Sequence, residues 1–235
     1  MKKNNIKKNY IITGTSKGIG NAIAKNLLEK NFYVYGIARS KQNINNKNYI
    51  HLKEDISKKN SIENIYNFLK KKKIKIDGLV NNAGINIPNK FDKISRSDYN
   101  KILDTNITAP FFLIQKLIPI LKNGSSIVNI SSFSAISGGP FSSHYAISKS
   151  GVEALTKNLS IFFSKNKIRV NAISPGLIKT KMTGNFKDHP YYNRILLKRV
   201  GETKEIANVV EFLLSKKSSY INGQIINADG GMFLK

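Results

Sequence analysis

The sequence predicts an α/β protein: one doubly wound parallel sheet of about seven strands with helices on both faces, in a single domain spanning residues 1–235. Three observations carry this expectation. Short runs rich in β-branched and aromatic residues alternate with longer amphipathic stretches along the chain, the pattern of strands joined by crossover helices. The 235 residues are 40% hydrophobic and 23% charged, enough apolar material for a sizeable core and too little charge for a disordered chain. No internal repeat and no Pro/Gly/Ser-rich linker divides the sequence.

The elements follow in order. Strands are expected at Tyr10–Thr13, Tyr33–Ile37, Tyr49–Leu52, Ile76–Asn81, Ile127–Ser131, Ile168–Ile173 and Gln224–Asn227, each a brief β-rich apolar run. Helices are expected at Ile19–Lys30, Ser61–Lys72, Tyr99–Leu121, Tyr145–Phe163 and Lys204–Ser215, where apolar residues recur three and four apart. The run Lys70 to Lys73 closes the second of these and complements the negative end of a helix. Between Arg39 and Tyr49 there is little or no room for a helix. In such a sheet, chemistry gathers beyond the C-terminal ends of the strands.

Composition removes several classes. With no cysteine, the chain has no disulfides, thiolate nucleophiles or cysteine-based metal sites. His51, His144 and His189 are too scattered for a metal cluster and the carboxylates show no ligand spacing, so no metal is expected. Lys and Arg number 39 against 14 Asp and Glu, a formal charge of +25. The lysines are spread along the chain and accompany many asparagines and isoleucines, which suits an A+T-rich coding bias better than the concentrated stripe of a nucleic-acid binder, so no nucleic-acid partner is expected. The basic opening is not followed by an apolar stretch of signal-peptide length, and Ala109 to Leu121 is too short and too interrupted to span a bilayer. The expectation is a cytoplasmic protein without a membrane partner.

The first motif is Thr13-Gly14-Thr15-Ser16-Lys17-Gly18-Ile19-Gly20, a glycine-rich turn between a strand and a helix. Glycines allow a sharp turn and a close approach, and the helix N-terminus offers free N–H groups to a pyrophosphate. The spacing is G-x-x-x-G-x-G, and an ordinary turn explains it as well until its strand–turn–helix context is counted. The context marks Gly14, Ser16, Lys17, Gly18, Ile19 and Gly20 as a dinucleotide site on a Rossmann-like sheet. The second strand ends Ile37-Ala38-Arg39-Ser40 with no carboxylate to bind a ribose 2′-hydroxyl. Arg39 and Lys17 would instead clasp a 2′-phosphate, so the expected cofactor is NADP(H). Asp55, with Ile56 beside it, is placed to accept the adenine amino proton, and Asn82, Ala83 and Gly84 to let backbone lie against the cofactor.

The decisive constellation pairs Ser131-Ser132 at a strand end with Tyr145-Ala146-Ile147-Ser148-Lys149 at a helix start. Tyr145 and Lys149, four residues apart, share a helix face, and an ammonium so placed favours a phenolate, bringing the tyrosine toward the pKa of a useful general acid. His144 is adjacent to Tyr145 but points elsewhere, a helix-start residue.

These residues together resemble the short-chain dehydrogenase/reductase family over nearly the whole chain. The resemblance implies Ser132 as the hydroxyl that holds a substrate carbonyl, Tyr145 as proton donor, and Lys149 as the residue that binds the nicotinamide ribose and acidifies Tyr145. It also implies Asn106, in Asp104-Thr105-Asn106-Ile107, as the fourth member of the set, kinking its helix and positioning a relay water. The segment Asn171 to Thr180 is similar to the family's nicotinamide-side stretch, with Pro175, Gly176, Ile178 and Thr180 at the cofactor. Within the family, Pro175 to Thr183, Arg199-Val200-Gly201 and Tyr220 to Met232 are most similar to 3-oxoacyl-[acyl-carrier-protein] reductases. The resemblance therefore implies NADPH-dependent reduction of a ketone on a small-molecule or carrier-bound substrate. A sugar or polyol dehydrogenase and, more remotely, a non-catalytic nucleotide-binding protein remain alternatives. It implies as well a homotetramer or dimer, made by pairing the long helices Tyr99–Leu121 and Tyr145–Phe163, where Phe111, Phe112, Phe162 and Phe163 supply apolar surface, and by packing the last strand and helix around a second axis. The loop over 177–201 follows the nicotinamide-side stretch, and its Phe186, Pro190, Tyr191 and Tyr192 suit a substrate lid or, equally, local packing.

Overall fold

The computed structural model describes residues 7–40, 43–139, 141–184 and 186–234, so the first six residues of the basic opening and Asn185 of the expected lid lie outside the described residues. Seven strands form one wholly parallel sheet: β1 (Asn9–Thr13), β2 (Tyr33–Ala38), β3 (Tyr49–Lys53), β4 (Ile76–Asn81), β5 (Leu121–Ile130), β6 (Arg169–Pro175) and β7 (Ile225–Ala228). Their spatial order is β3-β2-β1-β4-β5-β6-β7. The chain reverses its direction of travel between β1 and β4, which opens a crevice beyond their C-terminal ends.

Alternation along the strands builds two cores. Ile11, Ile37, Leu79, Ile127 and Val170 face one side, Tyr10, Ile12, Val34, Val80, Val128 and Ile173 the other. Helices α1 (Gly18–Glu29) and α7 (Thr203–Leu214) cover the second face through Ile23, Leu27, Ile206 and Val210. The first face is covered by α2 (Lys59–Lys71), α4 (Ala109–Leu117) and α6 (Ser143–Phe162). A short α3 (Arg96–Leu103) begins at Ser95, whose hydroxyl accepts from Asp98 N at 3.0 Å, and α5 (Ser134–Ser137) is a single turn. Burial of both faces explains why these strands read as nearly continuous apolar runs.

Three sequence expectations are corrected. Tyr99–Leu121 is not one helix: α3 passes through a π-helical segment, Asp104–Thr108, into α4, and a 3-10 turn at Ile118–Ile120 leads directly into β5. Pro110 lacks the N–H that would return to residue 106, and Pro119 prevents the helix from running on. The fifth strand consequently begins at Leu121, six residues before the expected start, pairing Leu121 with Ile76 before an irregular stretch restores the register at Ser126 with Gly78. Phe163 also differs from the surface role assigned to it. It is 2% exposed and belongs to the core, because the chain turns back after α6 and buries the ring beside Ile168, whereas Phe111, Phe112 and Phe162 are exposed.

Between β2 and β3 the described residues contain no helix, in line with the short spacing. Among the described residues no helix is long and apolar enough to cross a membrane.

Candidate active site

The glycine-rich turn is stitched to its neighbours before any ligand is considered. Gly14 adopts φ of +76°, a left-handed conformation that favours glycine, and its N–H donates to Ile37 O at 2.7 Å. A Cβ on Gly20 would lie 2.3 Å from Gly14 O, so the helix packs against the turn only because that side chain is absent. The Asn82 side chain donates to Thr13 O at 3.0 Å, while Thr13 Oγ1 accepts from the N–H groups of both Asn82 and Ala83 at 3.0 Å. Asn82 is thus a framework residue of the turn. Thr13 was not singled out from sequence, although a hydroxyl-bearing residue ending the first strand beside a glycine turn is the available signal.

The turn opens a cleft of about 970 Å³ that runs from Lys17, Arg39 and Asp55 at one end to Ser132, Tyr145 and Lys149 at the other. Pro175, Gly176, Ile178 and Thr180 form its wall, so the structure brings the predicted segments onto one surface. The donor set fits a dinucleotide. Helix α1 starts with no side-chain cap and no acid in its first turn, leaving its N–H groups for an anion, and Gly18 presents no side chain where Thr180 stands opposite. Arg39 and Asp55 face each other, with Arg39 Nη1 3.9 Å from Asp55 Oδ2. Asp55 Oδ1 accepts from Ser57 N and Ser57 Oγ at 3.1 and 2.7 Å, which fixes the carboxylate at the head of the turn before α2. The arginine side chain is 70% exposed, and such a pair holds it weakly enough to leave it available to another anion.

At the opposite end, Ser132 follows β5 and begins the turn into α5. Its Oγ accepts from Ser134 N at 3.1 Å and donates to Ser134 Oγ at 3.2 Å. Tyr145 and Lys149 lie on the first turns of α6, the ammonium 5.7 Å from the phenol ring centroid. Lys149 is buried, and its Nζ donates to Ile130 O at 2.8 Å. Burial lowers its pKa to about 8.

The expected acidification of Tyr145 is not what the residues alone produce. Tyr145 is half-buried and lines the cleft, and desolvation raises its pKa while the hydrogen bond with the Ser132 side chain opposes the rise. The physical reason is that Lys149 is directed to a backbone carbonyl, and its charge does not offset the cost of removing a phenolate from water.

Asn106 sits in the π-helical segment, buried, with every hydrogen-bonding group used. Its Oδ1 accepts from Ile85 N at 2.9 Å and its Nδ2 donates to Ile85 O and Ser148 Oγ, both at 3.0 Å. A π-type widening recurs at functional sites because it turns a side chain out of the helical row. Ser148 was missed from sequence, although its place one residue before Lys149 on the same helix is the signal. His144 is buried near Asp98, and the loss of hydration lowers its pKa more than that carboxylate raises it.

The segment after β6 is anchored from both sides. Ile178 bridges Gly201, and the Thr183 hydroxyl donates to Ile178 O. Tyr191 packs edge-on against Phe133 and Phe233, and His189 lies 5.7 Å from both Phe133 and Tyr191. Phe133, which follows Ser132, is the centre of this aromatic group and was not identified from sequence. Among the described residues no group of acidic residues and histidines forms a metal site.

Residues 14–233 match the family model described as Enoyl-(Acyl carrier protein) reductase. A protein of Buchnera aphidicola subsp. Acyrthosiphon pisum named 3-oxoacyl-[acyl-carrier-protein] reductase FabG is 35% identical over 238 residues, covering 95% of this chain and 96% of that protein. A short-chain dehydrogenase family protein from Francisella tularensis subsp. tularensis SCHU S4 superposes with a TM-score of 0.89 at 33% identity, over 96% of this chain and 98% of the other. A 4-hydroxyisoleucine dehydrogenase complexed with NADH superposes with a TM-score of 0.89 at 30% identity over 96% and 98%. With a family model matched over nearly its whole length and relatives alike from end to end, the chain belongs to the short-chain dehydrogenase/reductase family and is an oxidoreductase acting between alcohol and carbonyl groups.

Proposed function

We propose that this protein reduces the ketone of a 3-oxoacyl thioester to a secondary alcohol with NADPH. The observation that carries the reading is the convergence of Ser132, Tyr145 and Lys149 on the same cleft as the glycine turn. The similarity to proteins named 3-oxoacyl-[acyl-carrier-protein] reductase supports the substrate class. NADPH, when bound, supplies a hydride to the carbonyl carbon. The Ser132 hydroxyl donates to the carbonyl oxygen and holds it, and Tyr145 passes its phenolic proton to that oxygen, completing the alcohol. Lys149, as the ammonium, holds the ribose and stabilises the phenolate that remains. Asn106 holds the strand-to-helix region around Ile85 and Ser148 in register with them. Arg39 and Lys17 select the 2′-phosphate in this reading, and the absence of an acid at the end of β2 supports it.

The segment 177–201 acts as the lid, a cytoplasmic location fits the reading, and exposed Phe111, Phe112 and Phe162 suit the helix pairing of a homotetramer or dimer. A second reading, oxidation or reduction of a small hydroxylated compound, is favoured by the likeness to a protein named 4-hydroxyisoleucine dehydrogenase.

The test is turnover of NADPH and NADH with acetoacetyl thioesters on a carrier protein and on a pantetheine-like handle, at low and high salt, beside a trans-2-enoyl thioester, a keto-sugar and small ketones. Reduction of the acetoacetyl thioester, with a carrier preference that fades as salt rises, supports the proposal. Activity only with small ketones or keto-sugars moves the assignment to the second reading.

A further inference from the structure

The phosphate-facing turn receives support from a residue two strands away. Tyr49, at the start of β3, crosses over Gly36 of β2 and meets the Thr15 side chain; the two hydroxyl oxygens are 2.9 Å apart and either can donate. Thr15 is 0% exposed and its carbonyl accepts from Asn21 Nδ2 at 3.1 Å, so both its side chain and its backbone are held. Gly36 is what makes the meeting possible. A Cβ there would stand 2.0 Å from the Tyr49 oxygen and 2.7 Å from Thr15 Oγ1, in the space the two hydroxyls share. The residues that follow Thr15, Ser16 and Lys17, line the cleft, whereas neither Thr15 nor Tyr49 does.

We propose that Tyr49 is a positioning residue for cofactor affinity: through Thr15 it fixes the turn that presents Ser16, Lys17 and the first N–H groups of α1 to the dinucleotide, without touching the dinucleotide itself. A buried hydroxyl that loses its partner must find another or draw in water, and the Thr15 side chain is fully enclosed where it stands. Removing the Tyr49 hydroxyl therefore loosens the turn, and the cofactor must spend binding energy to order it again. The inference rests on the reading of this turn as the dinucleotide site.

The experiment compares wild type with Tyr49→Phe, Thr15→Val and the double variant. A control, Tyr35→Phe, removes a tyrosine hydroxyl from the same sheet that donates to Asn9 Oδ1, at 3.5 Å. NADPH dissociation constants are read by fluorescence titration, kcat at saturating cofactor by absorbance, and amide hydrogen exchange of residues 14–20 on the unliganded protein. The expected result is a rise in Kd of about three- to tenfold in each single variant, the scale of one neutral hydrogen bond. The double variant is expected to be no worse than either, because both lose the same contact. Faster exchange across the turn should accompany these changes, with kcat within twofold of wild type and no change in Tyr35→Phe. Unchanged turn exchange and Kd in Tyr49→Phe, additive losses in the double variant, or an equal loss in Tyr35→Phe would overturn the proposal. A wild-type protein that binds neither NADPH nor NADH overturns the underlying dinucleotide reading as well, and is distinguishable from failure of the strut alone, in which wild type and variants bind equally well.

Discussion

Asn106 donates from Nδ2 to Ser148 Oγ at 3.0 Å, and that same hydroxyl donates to Tyr145 O at 2.7 Å. One amide on the π-helical segment is thereby joined to the helical turn that carries both Tyr145 and Lys149. Its remaining groups close on the backbone of Ile85, so the segment after β4, the π-helical turn and α6 form one polar junction.

Asn106→Ala should destabilise the protein by about 2–4 kcal/mol, since it leaves the Ile85 N–H and C=O without their partners. Urea unfolding measures this. Asn106→Asp keeps the acceptor and loses both donors, and it brings a carboxylate close to the Lys149 ammonium: a Cβ built on Gly84 would be 3.3 Å from Asn106 Oδ1 and 3.5 Å from Lys149 Nζ. That variant should move the alkaline limb of the pH–rate profile upward, because a carboxylate favours the ammonium.

Tyr145→Phe should lower kcat by about 10²–10⁴-fold and leave the Kd for NADPH within about threefold, because the phenolic proton is delivered only in the chemical step. Lys149→Ala should weaken both. Stopped-flow turnover with a separate binding titration distinguishes the two patterns, and wild-type kcat in Tyr145→Phe contradicts the proposed proton donor.

The pH dependence follows from Lys149. With its pKa lowered to about 8, the ammonium is lost as pH rises through 8, so kcat/KM for carbonyl reduction should fall above that point, while burial keeps Tyr145 protonated. The same shift has the opposite sign for folding. Between about 8 and 10.5 the unfolded chain holds the proton and the folded chain does not, so this group makes stability increase with pH across that window. Urea unfolding at several pH values, compared between wild type and Lys149→Met, isolates the contribution.

The cofactor preference should reverse in Ala38→Asp with Arg39→Ala. A carboxylate at the end of β2 accepts from a ribose hydroxyl and repels a 2′-phosphate, and each charge-assisted phosphate contact is worth about 1.5–3 kcal/mol. Equal kcat/KM for NADPH and NADH in the wild type contradicts the assignment of Arg39.

Glu205 gives a test of stability. Its carboxylate accepts from Arg199 through both guanidinium arms, at 2.7 and 2.8 Å, and from Glu202 N at 2.8 Å, closing the capping box of α7. The Arg199 hydrogen bond is the main cause that lowers its pKa from 4.5 to about 2. Glu205→Gln should cost about 1 kcal/mol at neutral pH, a modest figure because the ion pair is exposed to solvent. The stabilisation is complete above pH 4.5 and is lost as pH falls toward 2, so the gap between variant and wild type should close over that range.

What the sequence determined by itself is whatever depends on local spacing. Parallel strands show as apolar runs because both faces of the sheet are covered, and the glycine turn and the Tyr145–Lys149 pair show because a tight turn and a helix face are set by residues a few positions apart. Tertiary structure decided the rest. The break at Asn106 depends on Ile85, twenty-one residues earlier, capturing its side chain, and periodicity alone continues the helix through it. The ionisation of Tyr145 and Lys149 depends on how far each polar group is taken from water and which carbonyl Lys149 reaches, neither of which their spacing contains. Phe163 turned inward while Phe162 remained exposed because the return toward β6 chose which of two adjacent rings met the core. Thr15 and Tyr49, thirty-four residues apart, meet only because β2 lies between them with no side chain at Gly36. Contacts made across the sheet are settled by which strands become neighbours, and a single chain read locally does not carry that information.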